Sequence, residues 1–206
     1  HPVLLKQLEE AEKISETSPF NEIITIGKPE DFGIVTSGVS YTYVKEMAKE
    51  LGLNVKILKL GMTHPIPRIM CEKFIKSCSS LVIVEELEPF LENQFKALAY
   101  DVGADVKIYG KSTGHFSRLY EYTPDIVVDA FSKIFKVNNP FPKPIQSTLK
   151  APQRPPSLCP GCPHRATYYA VKKVALKDTI YPTDIGCYTL GKEKPLEIAD
   201  ILLCMG

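Results

Sequence analysis

Three of the six cysteines in this sequence stand where they could do chemistry. Cys159 and Cys162 form a C-P-G-C, and Cys187 follows later in D-I-G-C. A close pair of thiols, in a chain with no secretory segment, points to metal or redox chemistry rather than a disulfide framework. Zinc needs four ligands in a closed structural site. Cys159, Cys162, Cys187 and His164 could supply them, but His164 comes two residues after Cys162 in the same helical turn, and a second C-x-x-C is missing. A thioredoxin-like pair sits between a strand and a helix, whereas here a proline-rich coil comes first. An iron–sulfur cluster takes four thiolates, often two close together and others from distant loops. Cys187 suits a third ligand, and no fourth is evident. Spacing ranks iron–sulfur first, with zinc and an inert or thiol-redox pair behind it.

The remaining candidates read more plainly. Cys71 and Cys78 are seven apart on one helix face, as core residues are. Cys204 ends an apolar strand and is expected in the core. Glu85 and Glu86 close a strand; such carboxylates can do acid–base work, but more simply they favour the positive end of the following helix. The turn Thr36–Tyr41 could offer N–H groups to an anion, or be an ordinary cap with Ser40 as its hydroxyl. His64 and His115 have no partner at a useful spacing and are expected at the surface. There is no G-x-G-x-x-G to suggest a dinucleotide.

The elements that must position these residues follow from periodicity. Residues 1–29 read as a charged helix and a short loop, a linker arriving from an upstream domain. Residues 30–137 alternate short apolar runs (FGIVTSG, VKILKLG, LVIVEE, DVKIYG) with amphipathic helical stretches. That alternation predicts an α/β fold, an open parallel sheet with helices on both faces. Residues 138–158 hold six prolines, which excludes helix and central strand and reads as an extended linker. Residues 159–206 open a second α/β domain: a helix with Pro163 in its first turn, a short strand running into a glycine-containing loop, and a second strand.

Composition narrows the function classes. The chain has 206 residues, 44% hydrophobic and 24% charged, with a formal net charge of +1. That is a globular balance without the concentrated positive face that nucleic acid binding needs. No apolar stretch approaches the ~20 residues required to span a bilayer, and HPVLLKQLEEAEK lacks the form of a signal peptide. The expected setting is cytoplasmic, with neither nucleic acid nor membrane as partner. The sequence starts without Met and stops after an apolar run, so an internal piece of a longer chain is expected.

The segments RPPSLCPGCPHRATYYAVKK, TDIGCYTLG and PLEIADILLCMG closely resemble the alpha subunits of the indolepyruvate branch of the thiamine-diphosphate-dependent 2-oxoacid:ferredoxin oxidoreductases. DFGIVTSGVSY, LVIVEELEPFLENQ and HFSRLYEYTPDIV look like that family's transketolase C-terminal-like domain. The resemblance implies a transketolase C-terminal-like open sheet followed by the truncated start of a thiamine-diphosphate-binding α/β domain. It implies oxidative decarboxylation of aryl 2-oxoacids to aryl-acetyl-CoA and CO2, with ferredoxin as electron acceptor. The cofactors it implies in the full-length subunit are thiamine diphosphate with Mg2+ and a [4Fe–4S] cluster, and none is expected to stay bound to this piece alone. By motif match, Cys159, Cys162 and Cys187 are the cluster ligands, and Ile185, Gly186 and Cys187 form the loop that approaches the thiamine diphosphate. A fourth ligand, the diphosphate motif and the activating glutamate would lie elsewhere in the longer chain. The implied partners are a beta subunit, ferredoxin, the 2-oxoacid substrate and coenzyme A. A zinc-stabilised interaction module and another 2-oxoacid branch are the rival readings.

Overall fold

The structure is a computed structural model that describes residues 1–29, 31–142 and 149–204. Contacts divide the chain into two units, His1–Ile145 and Gln146–Gly206. Residues 143–148 of the proline-rich stretch lie outside the described residues; 138–142 and 149–158 carry neither helix nor strand.

The first unit is a five-stranded sheet with strands β1 (Glu22–Ile26), β2 (Phe32–Ser37), β3 (Val55–Leu60), β4 (Ser80–Val84) and β5 (Lys107–Tyr109) in the order β1-β3-β2-β4-β5. The last four are mutually parallel, with Ile34 opposite Ile57 on one side and Val82 on the other. The helices are α1 (Pro2–Thr17), α2 (Ser40–Glu50), α3 (Arg68–Lys76), α4 (Phe90–Asp101) and α5 (Pro124–Phe135). Successive strand residues point to opposite faces, so both faces need cover. Ile34, Ile57, Val82 and Val84 pack under α2 and α5 with Val44, Met47, Val127 and Phe131. Val35, Leu58, Leu81 and Ile83 pack under α3 and α4 with Phe74, Ile75, Leu91 and Phe95. This is the expected open α/β sheet with helices on both faces.

Two expectations near the N-terminus are corrected. The loop expected after the first helix contains β1, an edge strand antiparallel to β3. Its β-branched run Ile23–Ile26 favours a strand, and β3 offers a free edge. Ser40 is not the cap of α2: it is the buried first residue of that helix, Val39 holds the cap position, and no side chain caps the end. The segment after α1 is tied down by polar contacts. Asn21 donates to the Ser15 carbonyl at 2.8 Å, and its oxygen accepts the Gly61 and Met62 amides at 2.8 and 3.0 Å. Glu16 accepts the Ile69 amide at 2.6 Å, at the start of α3.

The second unit contains α6 (Pro163–Val174), β6 (Pro182–Thr183), a 3-10 turn (Cys187–Lys192) and β7 (Ile201–Leu202). Strands β6 and β7 form a two-stranded parallel ladder. Pro163 begins α6, where its missing N–H costs nothing.

Candidate cysteine site in the second unit

Cys159 and Cys162 bracket a tight turn. The Cys162 amide donates to the Cys159 carbonyl at 3.1 Å, with Pro160 and Gly161 between them. Gly161 has φ +73°. Proline fixes the second turn position and a left-handed glycine takes the third, which makes this a type II turn. Arg165, one turn into α6, clamps it from behind: Nε donates to the Leu158 and Cys159 carbonyls at 3.2 and 3.1 Å, and Nη2 also bonds Leu158. Cys162 holds the N-cap position of α6 without a side-chain cap bond, and its sulfur lies 3.4 Å from His164 Nδ1. Cys159 is exposed and Cys162 half-buried.

Cys187 opens the 3-10 turn, after Gly186 at φ +92° and ψ −141°. That backbone region is essentially restricted to glycine, which explains the residue before the cysteine. Ile185 and Cys187 are exposed. Thr189 donates to the Asp184 carbonyl at 3.0 Å, closing the loop around Ile185–Cys187.

An aromatic cradle brings the two cysteine segments together. His164 and Tyr168 are four apart, hence on one helix face. The His164 ring packs on Tyr188 with centroids 4.8 Å apart and on Tyr168 at 6.2 Å. The Tyr168 hydroxyl donates to the Tyr188 carbonyl at 3.0 Å. Gly191 lies so close that an added Cβ would stand 2.8 Å from the Tyr168 ring. Burial pushes the Tyr168 phenol above its ordinary range, Thr183 pulls it back by hydrogen bonding, and Tyr188, Cys162 and Cys187 add to the rise. The cradle itself was not read from the sequence, although the H-x-x-x-Y spacing and the lone glycine of T-L-G were its signals.

Beside the cradle is an open cleft of about 440 Å³, lined among others by Tyr168, Val171, Ile180, Tyr181, Asp184 and Tyr188. Residues 185–187 do not line it, although Asp184 and Tyr188 on either side do. Among the described residues, no three His, Cys, Asp or Glu side chains are grouped to hold a metal ion. As placed, Cys159, Cys162 and Cys187 are not gathered into one ligand set among the described residues. Cys204 is exposed, contrary to the expected core position; β7 is two residues long, and no residue of it is buried.

The first unit behaves as scaffold. Glu85 accepts the Leu91 and Glu92 amides at 2.7 and 2.9 Å, so it serves the start of α4 rather than acid–base chemistry. Burial pushes its carboxyl up, against those amides and Lys111. Burial likewise raises Glu92, but hydrogen bonds from Lys96, Ser112 and the Lys111 and Ser112 amides outweigh it and leave this carboxyl below its ordinary value. Lys111 is buried, bonds the Glu85 carbonyl, and is pushed down by that burial. Glu86 accepts the Tyr122 amide at 2.7 Å, and Glu88 pairs with Arg118. Cys71 and Cys78 are core residues, and burial pushes the Cys71 thiol up to about 12. His64 is exposed, while His115 stacks edge-on against Tyr109 and bonds Thr113 at 2.9 Å.

Fold and site describe an α/β chain that offers thiol chemistry beside an aromatic cradle. No family model matches it. It is 39% identical over 98% of its length to Indolepyruvate oxidoreductase subunit IorA of Methanothermobacter marburgensis. To the proteins of the same name from Pyrococcus horikoshii and Archaeoglobus fulgidus it is 44% and 38% identical over its whole length. The similarity to these IorA proteins runs over all or nearly all of the chain, which spans about a third (32–34%) of their length. Among solved structures, 2-oxoglutarate:ferredoxin oxidoreductase from Magnetococcus marinus is similar at a TM-score of 0.46 and 17% identity, over 64% of this chain and 22% of that one. A split-gene transketolase follows at 0.42 and 15%, over 57% and 42%. No helix among the described residues is long and apolar enough to cross a membrane.

Proposed function

We propose that this chain is a segment of an oxidoreductase subunit that decarboxylates aryl 2-oxoacids such as indolepyruvate oxidatively, giving the aryl-acetyl-CoA and CO2 and passing electrons to ferredoxin. The observation that carries the reading is the 38–44% identity, over all or nearly all of the chain, to proteins named Indolepyruvate oxidoreductase subunit IorA. With it come a cytoplasmic setting and a beta subunit as partner. The first unit, residues 30–137 in the proposed division, acts as a rigid support whose carboxylates are engaged in structure. Residues from 159 onward carry the chemistry-bearing groups.

In this reading the thiazolium of thiamine diphosphate would serve the complete subunit as the electron sink for decarboxylation. The chain's own contribution is positional. Gly186 sets the sharp bend that presents Ile185 and Cys187 to solvent, and the His164–Tyr168–Tyr188 stack fixes that bend against α6. Cys159, Cys162 and Cys187 are the candidate sulfur donors for a [4Fe–4S] cluster in the complete subunit. Binding would require the three to close on one another and a further ligand to join them.

The test is to purify the complete subunit with its partner anaerobically and to measure reduction of ferredoxin with indolepyruvate and coenzyme A. Formation of indoleacetyl-CoA coupled to ferredoxin reduction supports the proposal. Turnover confined to non-aromatic 2-oxoacids would move the chain to another branch. Zinc without iron, and no turnover of any 2-oxoacid, would favour the interaction module.

A further inference from the structure

We infer that Cys159 and Cys162 form a redox-reversible dithiol site, closing to an intramolecular disulfide whenever no metal occupies them. The inference goes beyond the proposed function and does not depend on it. Three observations carry it. The Cys162 N–H···O=C Cys159 bond at 3.1 Å and the left-handed Gly161 define a closed turn. Such a turn holds its first and fourth Cα atoms within about 7 Å, and disulfides span Cα separations of about 4.4–6.8 Å. The turn is also built rather than incidental, since Arg165 bonds the carbonyls on its entry side and α6 starts at its exit. Finally, Cys159 is exposed and Cys162 half-exposed, so an oxidant reaches them, in contrast to the buried Cys71 and Cys78.

The grouping of donors points the same way. His164 Nδ1 stands 3.4 Å from the Cys162 sulfur, but no three such groups are gathered to hold a metal among the described residues, and Cys159 is the cysteine nearest to Cys162 along the chain. With hydrogen peroxide as oxidant, one thiolate attacks an oxygen, the O–O bond breaks, and a sulfenic acid and water form. The second thiol then displaces the sulfenic oxygen as a second water, and the S–S bond forms. Two thiols lose two electrons and two protons, and one peroxide becomes two waters. A dithiol reductant reverses the change by exchange. Sulfurs in the bridge have no thiolate to give a metal, so oxidation and metal loading exclude one another.

The test uses the whole 206-residue chain, reduced, stripped of metal with a chelator, and titrated with hydrogen peroxide before alkylation and digestion without reductant. Trypsin leaves both cysteines in one peptide, Ala151–Arg165, because Arg154 precedes proline. The expected result is that this peptide loses two hydrogens and takes up no alkyl group, while Cys187 and Cys204 stay alkylatable at the same dose. Gly161→Ala, which strains the left-handed position, is expected to slow closure several-fold without unfolding the first unit. Two alkyl groups on Ala151–Arg165 at doses that oxidise Cys187 would overturn the inference, as would a dominant bridge from either cysteine to Cys187 or Cys204. Iron content of the complete subunit is a separate readout, so failure here is distinguishable from failure of the proposed function.

Discussion

The first unit places its large apolar side chains on both sides of a sheet, whereas the second leaves most of its own in water. Phe95 and Phe131 are fully buried. Helix α6 buries no residue at all, and Val174 and Leu176 are each 83% exposed. Among the described residues from 149 onward, Leu158 and Ile198 are the buried hydrophobic side chains. Apolar burial is the dominant favourable term in folding. Where it is small, a region opens locally at low free-energy cost. The scaffold and the site are therefore held by different forces: the scaffold by two hydrophobic layers, the site by a turn clamped by Arg165, a tyrosine–histidine stack and a few backbone hydrogen bonds.

The contrast can be broken most directly by truncation. Phe95→Ala should cost about 4 kcal/mol in urea unfolding, as large cavities in packed cores do. Val174→Ala should fall within about 0.5 kcal/mol of the parent, as exposed substitutions do. Comparable losses would mean that α6 is packed after all.

A smaller effect concerns the polar lock. Glu92→Ala strips its partners from the Lys111 and Ser112 amides and from Lys96, and should cost about 3 kcal/mol. Its pH signature has a definite sign. The Glu92 pKa is lowered from 4.5 in the folded chain. The unfolded chain then binds the proton more readily, and stability falls as pH drops below 4.5 toward the folded value. Glu85 is raised from 4.5 and acts oppositely, losing stability as pH rises from 4.5 through its folded value. Urea titrations between about pH 3 and 7 should show a flatter loss below pH 4.5 for Glu92→Gln, and for Glu85→Gln a steeper loss as pH falls toward 4.5. Identical slopes in both variants would remove this lock from the account.

In the second unit the expected effects are smaller still. Gly191→Ala sets a Cβ against the Tyr168 ring and should cost about 2 kcal/mol of local stability. Tyr168→Phe removes the hydrogen bond to the Tyr188 carbonyl and the one with Thr183, and should cost about 1 kcal/mol. Hydrogen exchange of residues 163–174 and 187–192 reads both. Faster exchange confined to these segments is expected, and a loss of protection spreading into β2 and β4 would contradict the separation.

The sequence exposed the first unit well because helix and strand periods alternate cleanly there. All five of its α-helices and the four parallel strands were legible. Strand β1 was not, because five residues a short segment after a strongly charged helix look like connection until the edge of β3 gives them a partner. The role of Glu85 was legible as service to the next helix, but the Glu92–Lys111 contacts join residues 19 apart and needed the fold. In the second unit the C-P-G-C turn and the glycine before Cys187 were visible as local chemistry. The tyrosine–histidine cradle was not, because it depends on two segments meeting. Cys204 was misplaced because an apolar run normally implies burial, and here nothing among the described residues covers it.

The proposal most open to test is that the sulfurs of Cys159, Cys162 and Cys187, not gathered in this chain as placed, are drawn into one redox centre in the complete subunit. The decisive measurement is iron and acid-labile sulfide per complete subunit, prepared anaerobically, for the parent and for the triple variant Cys159→Ser, Cys162→Ser, Cys187→Ser. The account predicts that the variant loses one cluster's worth of iron and sulfide together with indolepyruvate-dependent ferredoxin reduction. Unchanged iron, sulfide and turnover in the variant would contradict it.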